Sequence, residues 1–150
     1  MTVPEAYPDR VERGGYEIST DPARLDLDVI HGYLREAYWS PGVLRDVVER
    51  SIARSLCFGL YAPDGAQAGF ARVVTDGATF AWIADVFVLD PHRGRGLGVW
   101  LMETVLAHPD LQGLRRIVLA TKDAHELYER FGFVPLPTPE RWMSVLRSSR

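Results

Sequence analysis

Residues 86–98, VFVLDPHRGRGLG, decide the fold, because an apolar strand here runs directly into a glycine-rich loop and then into a helix. Glycines at three alternate positions let the backbone turn tightly and approach a ligand closely. The N–H groups at a helix start lack partners within the helix, and together with the helix dipole they attract anions. Arg93 and Arg95 add positive charge. The stretch therefore predicts a cradle for a phosphate or pyrophosphate group.

Two well-known phosphate-binding motifs do not fit this loop. The P-loop ends in Gly-Lys-Ser or Gly-Lys-Thr, which the sequence lacks. The dinucleotide-binding fingerprint needs glycines at its first, third and sixth positions, but the sixth residue counted from Gly94 is Val99. The alternative interpretation is a glycine-rich turn between strand and helix that carries two solvated arginines.

Apolar periodicity on both sides of the loop predicts an α/β domain. Strand-like runs occupy residues 16–20, 56–62, 67–75, 79–89, 116–120, 133–134 and 142–146. Helical spacing occupies residues 28–37, 43–52, 99–108 and 123–131. Asp26 is a candidate cap for the first helix, and Ser40-Pro41 is a candidate start for the second. The order β-αα-βββ-α-β-α-ββ predicts a mixed sheet flanked by helices, with a parallel crossover through the third helix.

Length and composition bound the domain organisation. The 150 residues are 47% hydrophobic, which is enough for one domain with a sizeable core. We expect a loose segment over residues 1–15, ending in Gly14-Gly15, and one folded domain over residues 16–150. The 17 basic and 20 acidic residues give a net charge of -3. No basic excess is available to neutralise phosphates, so a nucleic-acid partner is not expected.

The sequence gives no sign of a membrane span or a metal site. Its uncharged runs fall far short of the length that crosses a bilayer, and the first residues lack the apolar stretch of a signal peptide. We therefore expect a cytoplasmic protein without a membrane partner. Cys57 is the single cysteine and lies in an apolar run, where a small buried side chain is the expected role. The four histidines show no ligand spacing, so no metal is expected.

A second motif follows at residues 124–133, AHELYERFGF. It resembles the A-x-x-L-Y-x-x-x-G-F stretch of the GCN5-related N-acetyltransferase (GNAT) superfamily. Arg93-x-x-Gly96-x-Gly98 resembles the Arg/Gln-x-x-Gly-x-Gly/Ala signature of the same superfamily, as does the Val-x-Val-x-x-Pro context before it. The predicted element order is also similar over residues 16–146. Two motifs at the expected separation indicate a single-domain GNAT-like fold.

The resemblance implies that acetyl-CoA is the co-substrate, bound where two parallel strands separate, here after Leu89 and Ala120. The pantetheine arm is expected to pair like an extra strand with the backbone of Phe87 and Val88. Many relatives carry an asparagine where this chain has Thr121, whose hydroxyl would either bond the arm or cap the following helix. Backbone N–H groups of the loop are expected to hold the pyrophosphate, and in this chain they belong to Arg93, Gly94, Arg95, Gly96, Leu97 and Gly98.

The resemblance also implies catalytic residues. Tyr128 matches the family's tyrosine that protonates the departing thiolate of CoA; the alternative is a helix tyrosine packed against the core. Asp85 is the only charge between Thr79 and Leu89, so it has either a structural partner or a task. Relatives often place a glutamate on this strand to take the proton of the amine, which makes Asp85 a candidate general base. The alternative is a core carboxylate bonded to a backbone N–H or an arginine.

The acceptor is expected to lie beside the first predicted helix. Tyr33, Tyr38 and Trp39 cluster there, in a region that forms a wall of the acceptor pocket in the family; ordinary helix-on-sheet packing is the alternative. The expected function is direct transfer of an acetyl group from acetyl-CoA to an amine, by a monomer or homodimer. The aromatic cluster favours a small-molecule amine. The alternatives are a non-catalytic acyl-CoA sensor and an acetyltransferase of protein lysines or N-termini.

Overall fold

The computed structural model describes residues 10–147, and its centre is a six-stranded mixed sheet. Neighbouring strands are antiparallel from the first to the fifth, whereas the sixth runs parallel to the fifth. A parallel pair needs a crossover connection, which a helix supplies here. The strands lie side by side in chain order as β1 (Arg10–Arg13), β2 (Tyr16–Ser19), β3 (Leu56–Tyr61), β4 (Gln67–Thr75), β5 (Phe80–Val88) and β6 (Arg116–Leu119).

Four helices accompany the sheet, namely α1 (Leu27–Leu34), α2 (Arg45–Ala53), α3 (Leu97–Ala107) and α4 (His125–Glu129). Helix α1 begins after Asp26, whose carboxylate accepts hydrogen bonds from the backbone N–H groups of Asp28 and Val29. Helix α3 is the crossover between β5 and β6. The predicted fold class, a mixed α/β sheet flanked by helices, is confirmed. None of the helices described is both long and apolar enough to span a membrane.

The two faces of the sheet carry separate hydrophobic cores. Phe70 and Ala71 are neighbours in β4, yet they belong to different cores, because successive side chains of a strand point to opposite faces. Helix α3 covers the larger core through Leu101 and Val105. Helices α1 and α2 cover the smaller one, which also contains Phe70.

A bulge in β5 changes which of its side chains face which core. The pairing of β4 with β5 runs from Arg72 opposite Asp85 to Val73 opposite Ile83, so Ala84 has no partner. One extra residue shifts the alternation of the strand. Ile83, before the bulge, therefore packs with α3. Asp85 and Phe87, after the bulge, point toward α1 and α2.

The first correction to the sequence analysis concerns residues 10–15, which are paired and not loose. Strands β1 and β2 form an antiparallel hairpin that turns at Gly14 and Gly15, both with positive φ. The sequence RVER contains one apolar residue, so its pattern does not predict a strand; pairing with β2 makes it one. The remaining part of the predicted loose segment, residues 1–9, lies outside the described residues.

Two further predictions are wrong. Helix α2 begins at Arg45 and not after Ser40-Pro41, because the Ser40 hydroxyl donates a 2.7 Å hydrogen bond to the Leu34 carbonyl and closes the turn after α1. The strands predicted over residues 133–134 and 142–146 do not form within the described part of the chain. An apolar segment becomes a strand only when another strand pairs with it, and neither segment pairs with a strand among residues 10–147.

Candidate active site

Strands β5 and β6 separate after a short ladder and leave a notch between their ends. β5 pairs with β4 as far as Val88 but with β6 only over residues 80–83. The bulge at Ala84 lies at the point of separation, and a bulge bends and twists the strand that carries it. Residues 84–88 therefore offer a backbone edge that none of the six strands described covers.

The backbone groups on this edge belong to alternate residues. The Leu89 N–H donates to the Ala68 carbonyl at 2.8 Å, so the backbone of residue 89, and by alternation that of residue 87, faces β4. The groups that face the notch are then those of Val86 and Val88. Of the predicted pair, only Val88 has its backbone at the free edge. Val86 is a further candidate that the sequence analysis missed, because the direction of a backbone N–H depends on register.

The glycine-rich loop follows the end of β5 and opens directly into α3. Gly94 and Gly96 have φ values of 80° and 75°, a left-handed conformation that other residues adopt only with strain. Gly96 is the N-cap of α3, and the first intrahelical bond runs from the Trp100 N–H to the Gly96 carbonyl. The N–H groups before Trp100 therefore have no partners within the helix. A Cβ atom placed on Gly94, Gly96 or Gly98 would meet nothing within 4 Å, so the loop surface is open.

A crevice of about 650 Å³ lies between this loop and α4. On one side it is lined by Gly96, Gly98 and Val99 from the start of α3. Residues 123–127 and Arg130 line the other side. The crevice brings unpaired helix N–H groups and Arg130 to one cavity, together with the carboxylates of Asp123 and Glu126. The helix start is the part of this lining that suits an anionic ligand.

The Arg93 side chain is occupied within the protein. Its Nε donates to the Val88 carbonyl at 2.8 Å, one terminal nitrogen donates to the Tyr33 hydroxyl at 3.2 Å, and the guanidinium pairs with Asp90. These contacts fasten the loop to the end of β5 and to α1. We therefore expect the Arg93 side chain to hold the loop in shape, and only the backbone N–H of Arg93 to contact a ligand. Arg95 makes no ion pair within residues 10–147.

Tyr33, Tyr38 and Trp39 form a row of aromatic rings beside the notch. The Tyr33 ring stacks on Phe87 with centroids 4.0 Å apart and planes 11° apart. Trp39 packs edge-on against Tyr38, with centroids at 5.1 Å. The Tyr38 hydroxyl then accepts a 2.9 Å hydrogen bond from the Lys122 N–H, just after β6. The row therefore spans from the end of β5 to the end of β6, across the mouth of the notch.

Asp85 is buried and has a hydrogen-bond donor on each oxygen. Oδ1 accepts from Trp39 Nε1 and Oδ2 accepts from Arg72 Nε, both at 2.8 Å. Arg72 stands directly opposite Asp85 on β4, and both side chains are largely buried. Of the two interpretations left open above, this geometry favours the core carboxylate bonded to an arginine. Arg72 is the only charged residue in β4, and Asp85 is the only charged residue in β5. Two single charges of opposite sign on neighbouring strands were therefore a signal in the sequence that could have predicted this pair.

Tyr128 lies on α4, half-buried, and its ring packs edge-on against Phe133 at 5.9 Å. Burial raises the pKa of its hydroxyl, and the nearby Tyr38 and Asp123 raise it further. The phenol therefore keeps its proton throughout the neutral range. Tyr38 reaches from the aromatic row to this neighbourhood, so the structure brings the predicted acid and the predicted acceptor wall together.

Thr121 and Cys57 each have a structural contact. The Thr121 hydroxyl accepts a 3.0 Å hydrogen bond from the Ala124 N–H and so caps the turn that leads into α4. Cys57 is buried beside the Arg72–Asp85 pair, and desolvation raises the pKa of its thiol to about 12. A thiol that stays protonated is a poor nucleophile, so Cys57 is not suited to carry an acyl group.

Comparisons with known proteins agree on one family. The model of the acetyltransferase (GNAT) family matches residues 20–133. A candidate acetyltransferase of Gibberella zeae is 33% identical over 143 residues, which covers 81% of this chain and 80% of that protein. The crystal structure of a candidate GNAT-family acetyltransferase from Xanthomonas campestris pv. campestris is similar with a TM-score of 0.85 and 50% identity, covering 87% of this chain and 92% of that one.

A more distant structure shares the fold and was crystallised with a ligand. It is a GNAT family acetyltransferase from Elizabethkingia anophelis with acetyl-CoA bound. The TM-score is 0.64 at 14% identity, and the match covers 83% of this chain and 80% of that one.

Proposed function

This chain belongs to the acetyltransferase (GNAT) family, and from that premise we propose that it moves an acetyl group from acetyl-CoA to the nitrogen of a small amine. Acetyl transfer is what the family and the relatives indicate, and acetyl-CoA is the co-substrate that the family uses. The observation that carries the proposal is the notch. A free strand edge there opens beside an uncapped helix N-terminus, a shape that suits an extended arm with an anionic end.

The residues around the notch fit acetyl-CoA, which supplies an acetyl group activated as a thioester. In the proposal, the backbone groups of Val86 and the N–H of Val88 bond the extended pantetheine arm, since the Val88 carbonyl already accepts from Arg93 Nε. The N–H groups of residues 93–98 bind the pyrophosphate, and the open surface at Gly96 and Gly98 lets it approach. The Phe87 ring stacks on Tyr33, and this contact packs the strand that carries the free edge against α1.

Tyr128 is the residue that we propose as the proton donor to the departing thiolate. Its raised pKa keeps the proton on the hydroxyl until the leaving group needs it. Within residues 10–147 no protein group bonds this hydroxyl, so it is available to a ligand.

We propose that Asp85 is a positioning residue. The alternative role, that of a general base, is the prediction from the sequence that an experiment must distinguish from it. Its Oδ1 holds the Trp39 indole and its Oδ2 holds Arg72, so both oxygens already accept hydrogen bonds. A carboxylate in this state fixes the aromatic row. It can take a proton from an amine only by giving up one of those bonds.

The aromatic row supports a small acceptor. Tyr38, bound to the Lys122 N–H, reaches across the mouth of the notch and narrows the approach from the side of α1. Trp39 stands behind it and cannot swing away without breaking its bond to Asp85. A protein substrate would need a wide groove here, whereas a small amine needs only the space between the rings and the free edge of β5.

The experiment that tests the proposal is a thiol-release assay with acetyl-CoA and a panel of amines. The panel includes small aliphatic and aromatic amines, free lysine, and peptides with a lysine or a free N-terminus. We expect turnover with at least one small amine and much slower turnover with peptides. Calorimetric titration with CoA, run on the same protein, separates binding from catalysis.

Three outcomes would contradict parts of the proposal. Preferred turnover of peptides would replace the small acceptor with a protein one. CoA binding without turnover of any amine would favour a sensor of acyl-CoA. Absence of CoA binding by a folded protein would remove the proposed role of the notch altogether.

A further inference from the structure

The glycine-rich loop has little packing of its own to hold its shape. Residues 93–96 are all exposed, and Gly94 and Gly96 have no side chains that could anchor them. Glycine has more conformations open to it than other residues, so a loop of this composition loses much entropy when it is fixed. The shape of the loop is therefore set at its two ends, which are the start of α3 and residues 92 and 93 after β5.

Tyr16 holds the first of these two residues. His92 ends a short 3-10 turn, Asp90–His92, that lies between β5 and the loop. The Tyr16 hydroxyl is hydrogen-bonded to His92 Nδ1 at 2.9 Å, and the two rings meet edge to face with centroids 5.7 Å apart. Tyr16 is the first residue of β2, and its ring packs against the larger core, which α3 covers.

Tyr33 holds the second residue from the other face of the sheet. Its hydroxyl accepts a 3.2 Å hydrogen bond from a terminal nitrogen of Arg93, and its ring packs against the smaller core, which α1 and α2 cover. Two consecutive residues, His92 and Arg93, are thus bonded to tyrosine hydroxyls that come from opposite faces. Such a pair of bonds opposes displacement of the loop in both directions across the sheet, which one bond does not.

We propose that Tyr16 is a positioning residue for the pyrophosphate cradle, acts through His92, and forms with Tyr33 a two-sided clamp that presets the loop for its ligand. This inference rests on the proposed function, because it takes CoA as the ligand. A site that is fixed in advance loses less conformational entropy on binding. The clamp therefore contributes affinity for the part of CoA that contacts the loop, although Tyr16 itself need not touch CoA.

Tyr16→Phe tests the clamp, because it removes only the hydroxyl and keeps the ring that packs on His92. We expect the dissociation constant for CoA, measured by calorimetry, to rise about three- to tenfold, which is the range that one hydrogen bond supplies. The value of kcat at saturating acetyl-CoA should not change, since a loss of cofactor binding alone appears in KM. Thermal denaturation checks that the variant is folded.

Tyr61→Phe is the matched control for this substitution. Tyr61 lies on β3, next to β2, and pairs with Glu17. Its hydroxyl has no hydrogen-bond partner among residues 10–147, so its removal breaks no bond to the loop. The variant should bind CoA with the affinity of the wild type.

A truncated co-substrate separates the clamp from a general loss of structure. Acetyl-pantetheine carries the thioester and the arm of acetyl-CoA but lacks the pyrophosphate. If Tyr16 acts through the cradle, Tyr16→Phe lowers kcat/KM for acetyl-CoA about three- to tenfold and leaves kcat/KM for acetyl-pantetheine unchanged. An equal loss on both co-substrates would overturn the proposal, because damage to the fold affects both.

Substitutions at His92 test the other partner of the bond. Asparagine places an amide oxygen or nitrogen close to the position of Nδ1, so His92→Asn can still bond the Tyr16 hydroxyl, whereas His92→Leu cannot. We expect CoA affinity near that of the wild type in His92→Asn and a loss in His92→Leu. Adding Tyr16→Phe to His92→Leu should cause no further loss, because the bond is already broken. A further loss as large as that of Tyr16→Phe alone would show that the hydroxyl acts elsewhere and would overturn the proposal.

The CoA titration also distinguishes this inference from the proposed function. If the wild type and Tyr16→Phe bind CoA equally tightly, the clamp is refuted and the proposed function stands. If the folded wild-type protein does not bind CoA, both are overturned.

Discussion

At the scale of single residues, Gly96 and Gly98 are glycines for different reasons. Gly96 has a φ of 75°, so any side chain there strains the backbone at the N-cap of α3. Gly98 lies inside the first turn of α3 with ordinary helical geometry, and a Cβ on it would meet no protein atom. The fold itself does not require glycine at position 98. A ligand that approaches the helix start does.

Gly98→Ala therefore separates binding from folding. We expect the free energy of unfolding to stay the same or rise by up to about 1 kcal/mol, because alanine favours the helix. We expect CoA affinity to fall at least about tenfold, or about 1.4 kcal/mol, because the methyl group occupies the crevice. Thermal denaturation and calorimetric titration measure the two effects.

Gly32→Ala is the control for this substitution. Gly32 lies in α1, and a Cβ there also meets nothing within 4 Å. The variant should show the same change in stability with unaltered CoA affinity. If Gly98→Ala binds CoA as tightly as the wild type does, the cradle is not at the start of α3.

Tyr128→Phe removes the proposed proton donor and keeps the ring that packs on Phe133. General-acid assistance contributes about 10²- to 10⁴-fold, so we expect kcat to fall within that range on the best acceptor. The dissociation constant for CoA should change little, which calorimetry on the same samples checks. Unchanged turnover would make Tyr128 a packing residue.

Tyr61→Phe is a matched control for the loss of a tyrosine hydroxyl. Tyr61 is buried, and its hydroxyl finds no hydrogen-bond partner within the described residues. Removing a buried polar group without a partner should leave stability equal or improved. Turnover should be that of the wild type, because Tyr61 lies on β3, away from the notch.

At the scale of elements, β5 forms both the edge of the notch and the anchor of the acceptor wall. The bulge at Ala84 turns Asp85 and Phe87 toward α1 and α2, while Ala81 and Ile83 stay in the core with α3. If Ala84 were instead paired like its neighbours, the strand would alternate strictly and all four side chains would point to one face. Asp85 could then not hold Trp39, and the aromatic row would lose its fixed end.

Asp85→Asn tests this anchor and the general-base alternative together. The amide keeps an acceptor for the Trp39 indole but leaves the largely buried Arg72 without a counter-charge. Breaking such a pair costs about 3 kcal/mol, which urea denaturation measures. If Asp85 only positions Trp39, kcat/KM should fall by a similar factor at every pH. A loss that is confined to neutral pH and disappears in alkali would identify Asp85 as the base.

Asp85→Ala gives the comparison for the positioning role. It removes the acceptor for the indole as well as the charge, so it should be less active than Asp85→Asn at all pH values. Equal activity of the two variants would mean that the bond to Trp39 contributes nothing to the acceptor wall.

At the scale of the whole molecule, buried neutral acids make the fold sensitive to alkali. Burial raises the pKa of Cys57 from 9.0 to about 12 and that of Tyr61 from 10.0 to about 12. Well below pH 9 both groups are protonated in the folded and unfolded chains. Above it the unfolded chain loses these protons first, which stabilises the unfolded state. The free energy of unfolding should therefore fall as the pH rises from 9 toward 12.

Cys57→Ala isolates the contribution of the thiol to this fall. Between pH 9 and 10 the thiol titrates in the unfolded chain before Tyr61 does. The variant should therefore lose less stability than the wild type over that interval, as chemical denaturation at several pH values would show. Identical slopes for the two proteins would mean that Cys57 is less buried than the structure indicates.

The sequence by itself determined the family and the fold class of this protein. Both rest on signals that lie within a few residues of each other, such as the glycine spacing in residues 86–98, the 124–133 motif and the apolar periodicity of the strands and helices. Local signals of this kind depend on backbone geometry and on neighbours up to four residues away. They also predicted the four helices, the last of them shorter than expected, and the N-cap at Asp26.

Only the tertiary structure decided which distant groups meet. Arg72 reaches Asp85 because a bulge sets the register of β4 and β5, and Tyr38 reaches Lys122 across 84 positions of the chain. The segment 142–146 has the apolar composition of a strand, yet it is unpaired here, because strand formation depends on a partner edge as well as on composition. Register and partner availability are properties of the folded chain as a whole, and no local pattern encodes them.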